Sequence, residues 1–156
     1  MQECISKTLP TGVYVVTAKA GDRINGMTAA WASQVSFKPP LIAVSIAEQR
    51  FTYGLIKESG RFCINAMAED GLELSKHFGF KSGRSVDKFQ GIDYTLTTSG
   101  LPVLSKAFAY MECNVVNSFE TGDHTLFIGS VSECVVTRED ATPLIFVWDD
   151  FFGKKK

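Results

Sequence analysis

The sequence predicts a mainly β protein with short helices: an antiparallel, closed or half-closed β-barrel with helices packed on one end, built as a single domain over residues 1–156. Three observations carry that prediction. β-branched and aromatic runs recur at strand length, and short polar turns join neighbours in the order that antiparallel pairing needs. No strand–glycine loop–helix unit of a doubly wound sheet is present. With 156 residues, 45% hydrophobic and 21% charged, the chain has apolar material for one buried core.

Each element follows from local pattern. Residues 13–17 form a β-branched and aromatic strand, closed by a turn over residues 19–22. A second strand runs from Ile24 toward Phe37, and Pro39-Pro40 ends it. Residues 41–47 are almost wholly apolar, as in a strand covered on both faces. Residues 50–59 read as a helix with Phe51, Leu55 and Ile56 near one face and Gly60 as its stop. Residues 61–65 return as a strand. A second helix spans residues 69–80, with Leu72, Lys76 and Gly79 on one line and Leu74 and Phe78 on another. Residues 81–90 are polar, with little room for a core. Residues 107–119 alternate and pair through the turn at residues 120–123 with a strand over residues 125–137. Residues 143–148 supply the last strand. The expectation is six or seven strands and two or three short helices.

Charge and cysteine usage exclude several classes. The net charge of −1 and pI near 6.1 give no electrostatic footprint for nucleic acid or an acidic membrane. The lysines at 154–156 read as a solvated, frayed terminus. The first residues hold no apolar signal core, and no window approaches the ~18 apolar residues of a membrane span. Cys4, Cys63, Cys113 and Cys134 lie far apart without zinc-ligand spacing, so no metal site is expected. They read as buried or semi-buried free thiols of a reducing compartment, the cytoplasm.

Five groups carry candidate chemistry. In Asn25-Gly26-Met27-Thr28-Ala29-Ala30-Trp31, sharp backbone geometry is joined to a hydroxyl, small residues and an indole. Two readings stand: a loop approaching a flat polar ligand, or a turn into a strand whose Trp is core. Thr52, after Arg50-Phe51, either donates to an anion or caps the helix. Lys81-Ser82-Gly83-Arg84-Ser85-Val86-Asp87-Lys88 can cradle a phosphate or form a solvated loop; Val86 and Phe89 tie it to the core. Gly122-Asp123-His124 resembles part of a triad but has no nucleophile, so His124 reads better as a donor to a ligand edge. Phe151 and Phe152 read as a lid over a flat ligand, a subunit contact or core. His77 reads as a helix-surface residue. No acid–base pair, nucleophile or metal cluster is complete, which points to a cofactor carrying the reaction.

Six segments, in order along nearly the whole chain, resemble the flavin reductase-like family with its FMN-binding split β-barrel. Within it the likeness is to flavoredoxins and ferric-reductase-like NAD(P)H:flavin oxidoreductases. The segments are Gly12-Val13-Tyr14-Val15-Val16-Thr17, the stretch from Asn25 to Trp31, Val35-Ser36-Phe37-Lys38-Pro39-Pro40-Leu41, Phe80-Lys81-Ser82-Gly83-Arg84, Asp87-Lys88-Phe89-Gln90-Gly91, and Gly122-Asp123-His124-Thr125-Leu126-Phe127-Ile128-Gly129. The resemblance implies a homodimer with one FMN per subunit near the interface. It implies that Asn25, Met27, Thr28 and Trp31 line the isoalloxazine, partly through backbone groups, and that Thr52, Ser82, Arg84 and Lys88 hold the ribityl phosphate end, with Gly26, Ala29 and Asp87 also among the cofactor-binding residues. His124 would face the flavin or an incoming nicotinamide as the catalytic contact, and Phe151 or Phe152, with Phe152 preferred, would close the site.

The activity so implied is hydride or electron transfer from NADH or NADPH, through FMN, to free flavin, ferric complexes or a redox protein. The alternatives are a flavoredoxin-type carrier without efficient NAD(P)H oxidation, a pyridoxamine-phosphate-oxidase-like enzyme, and a non-catalytic binding barrel.

Overall fold

The computed structural model describes residues 1–154, so Lys155 and Lys156 of the expected frayed terminus lie outside the described residues. Its centre is a seven-stranded antiparallel sheet in the order β2-β1-β5-β8-β9-β4-β3. The strands are β1 (Tyr14–Ala20), β2 (Arg23–Ala29), β3 (Ala32–Ser36), β4 (Leu41–Ala47), β5 (Arg61–Met67), β8 (Ala107–Thr121) and β9 (His124–Val136). Its two edge strands, β2 and β3, are consecutive in the chain and linked only by Ala30 and Trp31. So short a link requires the sheet to curl and bring its two edges near each other, giving a half-closed barrel in which β2 and β3 share no ladder among the described residues. The Ser45 N–H donates to the Trp31 carbonyl at 3.0 Å, extending the β3–β4 ladder one residue beyond the Ala32–Val44 pair. A single strand from Ile24 to Phe37 is therefore replaced by two, because the chain must pass from one sheet edge to the other.

The other departures have local causes. The first turn is the two-residue Gly21-Asp22, with Gly21 at φ +61 and Lys19 and Ala20 paired in the ladder. Gly122-Asp123 likewise closes β8 on β9, pairing Thr121 with His124. Residues 143–148 are not a strand: they cross β1 and β5 near their ends through isolated bridges, Gly12 to Ile145 and Ala68 to Pro143. Trp148 then opens the short helix α4 (Trp148–Phe152). Three elements lacked a sequence signal: helix α1 (Gln2–Thr8), and the strands β6 (Tyr94–Leu96) and β7 (Pro102–Leu104) of a small hairpin. The hairpin is held by buried Asn65, which accepts from the Leu104 N–H at 2.8 Å.

Helix α2 (Phe51–Ser59) stops at Gly60, which adopts φ +68 while its N–H closes on the Ile56 carbonyl at 2.8 Å. Helix α3 (Leu72–Phe80) buries Phe78 of one expected line, with Leu72 and Leu74 half-buried against the same cluster, and also buries Ser75, which lies on neither line. Ser75 tolerates burial because its hydroxyl donates to the Gly71 carbonyl at 2.8 Å. The barrel interior holds Val16, Ile46, Ile56, Phe62, Ile64 and Phe127, and a second apolar cluster of Val15, Met67, Phe78, Phe89 and Leu104 lies by α3. Burying side chains of this size contributes roughly 1.5–3 kcal/mol each before entropy is subtracted.

Residues 81–90 contribute more core than expected, since Lys88 and Phe89 are both buried. All four cysteines are free, but only Cys63 and Cys113 are buried, while Cys4 and Cys134 are exposed. Burial pushes the Cys113 thiol up to about 12 and raises that of Cys63 as well, so both are inert as nucleophiles. Among the described residues no helix is long and apolar enough to cross a membrane.

Candidate functional site

A cleft of about 210 Å³ opens where β2, the start of α2 and the loop after α3 converge. Asn25, Met27, Thr52, Ser82 and Lys88 line it together with Arg50 and Phe80. Asn25 sits on β2 opposite Ala18, and its Nδ2 donates to Thr52 Oγ1 at 2.9 Å, so strand and helix present one polar wall. Helix α2 begins at this wall without a side-chain cap, leaving first-turn N–H groups for an acceptor.

Two cations define the electrostatics. Lys88 is only 2% exposed, and its Nζ donates to the carbonyls of Gly26 and Phe78 at 2.8 and 2.9 Å. Arg50 donates from Nη2 to the Gly79 carbonyl at 2.9 Å. Among the described residues neither forms an ion pair with a carboxylate. Burial, reinforced by the Arg50 charge, holds the Lys88 ammonium down to about 8, and burial lowers Arg50 too. Two desolvated like charges beside one cleft favour an anion between them.

The loop after α3 is held close by Gly83. A Cβ there would stand 2.4 Å from Asn25 Oδ1 and 2.7 Å from a Phe51 ring carbon, so only glycine allows this approach. Beyond the pinch lies a second, wider cleft of about 420 Å³, which Arg84 and Asp87 line along with Arg23. Arg84 lies 5.6 Å over the Phe51 ring and donates to the Gln49 carbonyl at 2.6 Å. Ser82 Oγ accepts from the Arg84 N–H at 3.2 Å, and Asp87 Oδ1 accepts from the Phe89 N–H at 3.0 Å.

A separate pair sits at the end of β4. The rings of Trp31 and His124 are 4.8 Å apart, and His124 pairs with Ala47 in the ladder, two residues before Gln49 of the first cleft. His124 Nδ1 lies 2.6 Å from Asp123 Oδ1, and the resulting hydrogen bond holds the Asp123 carboxyl below its ordinary range. Trp31 is 53% exposed, which overturns the reading of its indole as core.

The sequence matches the family described as flavin reductase like domain over residues 6–154. The chain belongs to the flavin reductase-like family. A high molecular weight rubredoxin of Moorella thermoacetica is 44% identical over 83% of this chain and 57% of that protein. A flavin reductase of Pseudomonas putida is 35% identical over 88% of this chain and 79% of its own length. An FMN-binding protein of Thermus thermophilus, solved with bound 1-cyclohex-2-enone, superposes with a TM-score of 0.83 at 31% identity. That match covers 91% of this chain and 84% of the other. The chain spans little more than half the length of the Moorella relative and about a quarter of the diflavin flavoproteins that it also matches.

The flavin reductase-like barrel thus gathers Asn25, Met27, Thr52, Ser82 and Lys88 at one cleft, Arg84 and Asp87 at its neighbour, and Trp31 with His124 apart. Gly26 contributes the carbonyl that Lys88 holds. Ala29 is packed in the core, and the Thr28 hydroxyl donates to the Ser75 carbonyl at 2.5 Å. Phe152 does not line either cleft; its ring packs 5.9 Å from Phe80, which does. His77 is not a bare surface residue, since its Nε2 lies 2.7 Å from the Lys88 carbonyl and fixes the loop. Arg50 is the residue that sequence reading undervalued. Its position immediately before a helix was the available signal, but its reach to Gly79 depends on how α2 and α3 pack.

Proposed function

We propose that this chain is an FMN-binding oxidoreductase module over residues 1–156, which accepts hydride from NADH or NADPH and passes electrons to free flavin, ferric complexes or a redox protein. The observation that carries this reading is the first cleft, where buried Lys88 and half-buried Arg50 face the uncapped start of α2 without a carboxylate. The residues fit the phosphate end of a flavin mononucleotide. Thr52 and Ser82 supply hydroxyls, Lys88 a fixed point charge, and Arg84 a guanidinium from the rim. Gly83 keeps the loop near enough for these groups to converge.

Bound FMN supplies the hydride-accepting chemistry. This chain's residues bind, orient and shield it: Asn25, Met27 and the backbone from Gly26 to Ala29 toward the ring system, and Trp31 over one face. His124 is held in one orientation by Asp123 and offers Nε2 to the ring edge or to a nicotinamide. Phe152 acts through Phe80, setting the apolar wall of the cleft. The exposed Trp31, Val35 and Phe37 support a second copy of this chain covering β3, as a homodimer. The four free thiols support a cytoplasmic setting.

A second reading, an electron carrier without efficient NAD(P)H oxidation, is favoured by the relatives named rubredoxin and diflavin flavoprotein, of which the chain matches only a part. The absorbance spectrum of the purified protein, repeated anaerobically after NADH and then NADPH, separates the two. Prompt bleaching of a yellow protein upholds the reductase; a yellow protein that stays oxidised upholds the carrier. A colourless protein that takes up no added FMN overturns both.

A further inference from the structure

Lys88 is 2% exposed, yet it lines both the first cleft and the wider one beyond Gly83, so its amine is reached through the clefts and not from open solvent. Its Nζ donates to the Gly26 and Phe78 carbonyls at 2.8 and 2.9 Å. An amine that gives up a proton and keeps both bonds directs its lone pair into the fourth tetrahedral position, clear of both carbonyls. We propose that Lys88 is a modification site, acylated on Nζ by a small acyl phosphate that enters the first cleft. This goes beyond the flavin reading and shares with it only the anion-binding character of the cleft.

Three features select that chemistry. The first is nucleophilicity. Burial and the neighbouring Arg50 charge hold the ammonium down to about 8. Roughly a tenth of the amine is therefore neutral at pH 7, against less than about one in a thousand for an ordinary lysine. Desolvation beside a second cation is a recognised way for a lysine to become a nucleophile. The second is the leaving group. Arg50, Thr52 and Ser82 line the same cleft at the uncapped start of α2, so a phosphate seated there meets donors in the cavity that holds Lys88. In an acyl phosphate the reacting carbon is bonded to a phosphate oxygen, so anchoring the phosphate keeps that carbon close by. The third is size. A cleft of about 210 Å³ admits a small anion, while the burial of Lys88 keeps out the active site of a modifying enzyme.

The Nζ lone pair attacks the acyl carbon and forms the new N–C bond. The bond from that carbon to the bridging phosphate oxygen breaks, and phosphate leaves with the electron pair and takes up the proton that nitrogen releases. The amide product is uncharged and has a single N–H, so either Gly26 or Phe78 loses the donor to its carbonyl. Acylation thus removes the buried charge from the cleft and opposes anion binding there.

Flavin-free protein incubated with acetyl phosphate at pH 7.5, then digested and mapped by mass spectrometry, tests the site. The exposed Lys57 and Lys106 serve as internal standards. Lys88 should be acetylated at least about tenfold faster than either, at a rate that saturates with acetyl phosphate and that inorganic phosphate suppresses. Acetic anhydride has no phosphate to anchor and should acetylate the two exposed lysines ahead of Lys88. The proposal is overturned if Lys88 stays unmodified, if it reacts no faster than the exposed lysines, or if phosphate gives no protection. A preference for Lys88 with acetic anhydride as well would overturn the acyl phosphate as donor. FMN should protect Lys88 as phosphate does. Protection by phosphate but not by FMN would overturn the flavin reading of this cleft and leave the modification site standing.

Discussion

Lys88 donates its ammonium to the carbonyl of Gly26 at 2.8 Å, joining a loop residue to a strand 62 positions earlier in the chain. Together with its bond to the Phe78 carbonyl, this makes the lysine a strut between β2 and α3 as well as a charge at the cleft. Lys88→Met keeps the length of the side chain and removes both roles. The expected outcome is an apo-protein destabilised by about 1–3 kcal/mol in urea unfolding, the cost of two buried carbonyls losing their donor. FMN affinity should fall at least tenfold in a fluorescence titration, as expected for a lost charge-assisted contact. Retained affinity in the folded variant would remove Lys88 from the phosphate end.

The pH dependence of the apo-protein should follow the same residue. The ammonium is held down to about 8 in the fold against an ordinary 10.5. Between those two values the unfolded chain binds more protons than the native one, so this group's contribution to stability rises with pH across that window. Anion affinity should move the opposite way, weakening as pH climbs through about 8 and the charge is lost. Urea midpoints and FMN dissociation constants at pH 7, 8 and 9.5 should therefore diverge, and Lys88→Met should flatten both trends.

Trp31 separates binding from folding. Its indole is 53% exposed, so Trp31→Ala should shift stability by no more than about 0.5 kcal/mol, typical of a surface change. The same substitution should weaken FMN binding by about 1–3 kcal/mol if the indole covers the ring. A full thermal midpoint with full flavin affinity would leave Trp31 to the subunit contact alone.

Gly83→Ala tests the pinch. The added Cβ would lie 2.4 Å from Asn25 Oδ1, forcing either the loop outward or Asn25 away from Thr52. Stability should fall by about 1–3 kcal/mol, the range for overpacked sites. FMN affinity should fall with it, read by the same titration. Unchanged affinity would mean that the loop yields without consequence for the cleft.

Much of this architecture is legible in the sequence where local pattern decides the outcome. The apolar run at Leu41–Ala47 became β4 without a shift of either end, and Gly60 and Gly122 mark a helix stop and a hairpin as their flanking residues predict. Reading fails where a partner far along the chain decides. Pro143 and Ile145 meet strand ends through single bridges, which no periodicity within residues 143–148 reveals. Ser75 is buried because Gly71 accepts its hydroxyl, and Lys88 is buried because Gly26 and Phe78 face it. Of the motif residues, Asn25, Met27, Thr52, Ser82, Arg84, Asp87 and Lys88 line the two clefts, whereas Trp31 and His124 stand apart and Phe152 lines neither; Arg50 joins the lining through the packing of α2 and α3.

The Ala30-Trp31 link that joins the two sheet edges also carries the indole assigned to the ligand. Whatever presses on that ring bears directly on the entry to β3, and the Ser45 amide of β4, bonded to the Trp31 carbonyl, is a reporter of it. Its exchange with solvent deuterium becomes a gauge of how firmly the start of β3 is held on β4: slow when the ring is covered, faster when it is bare.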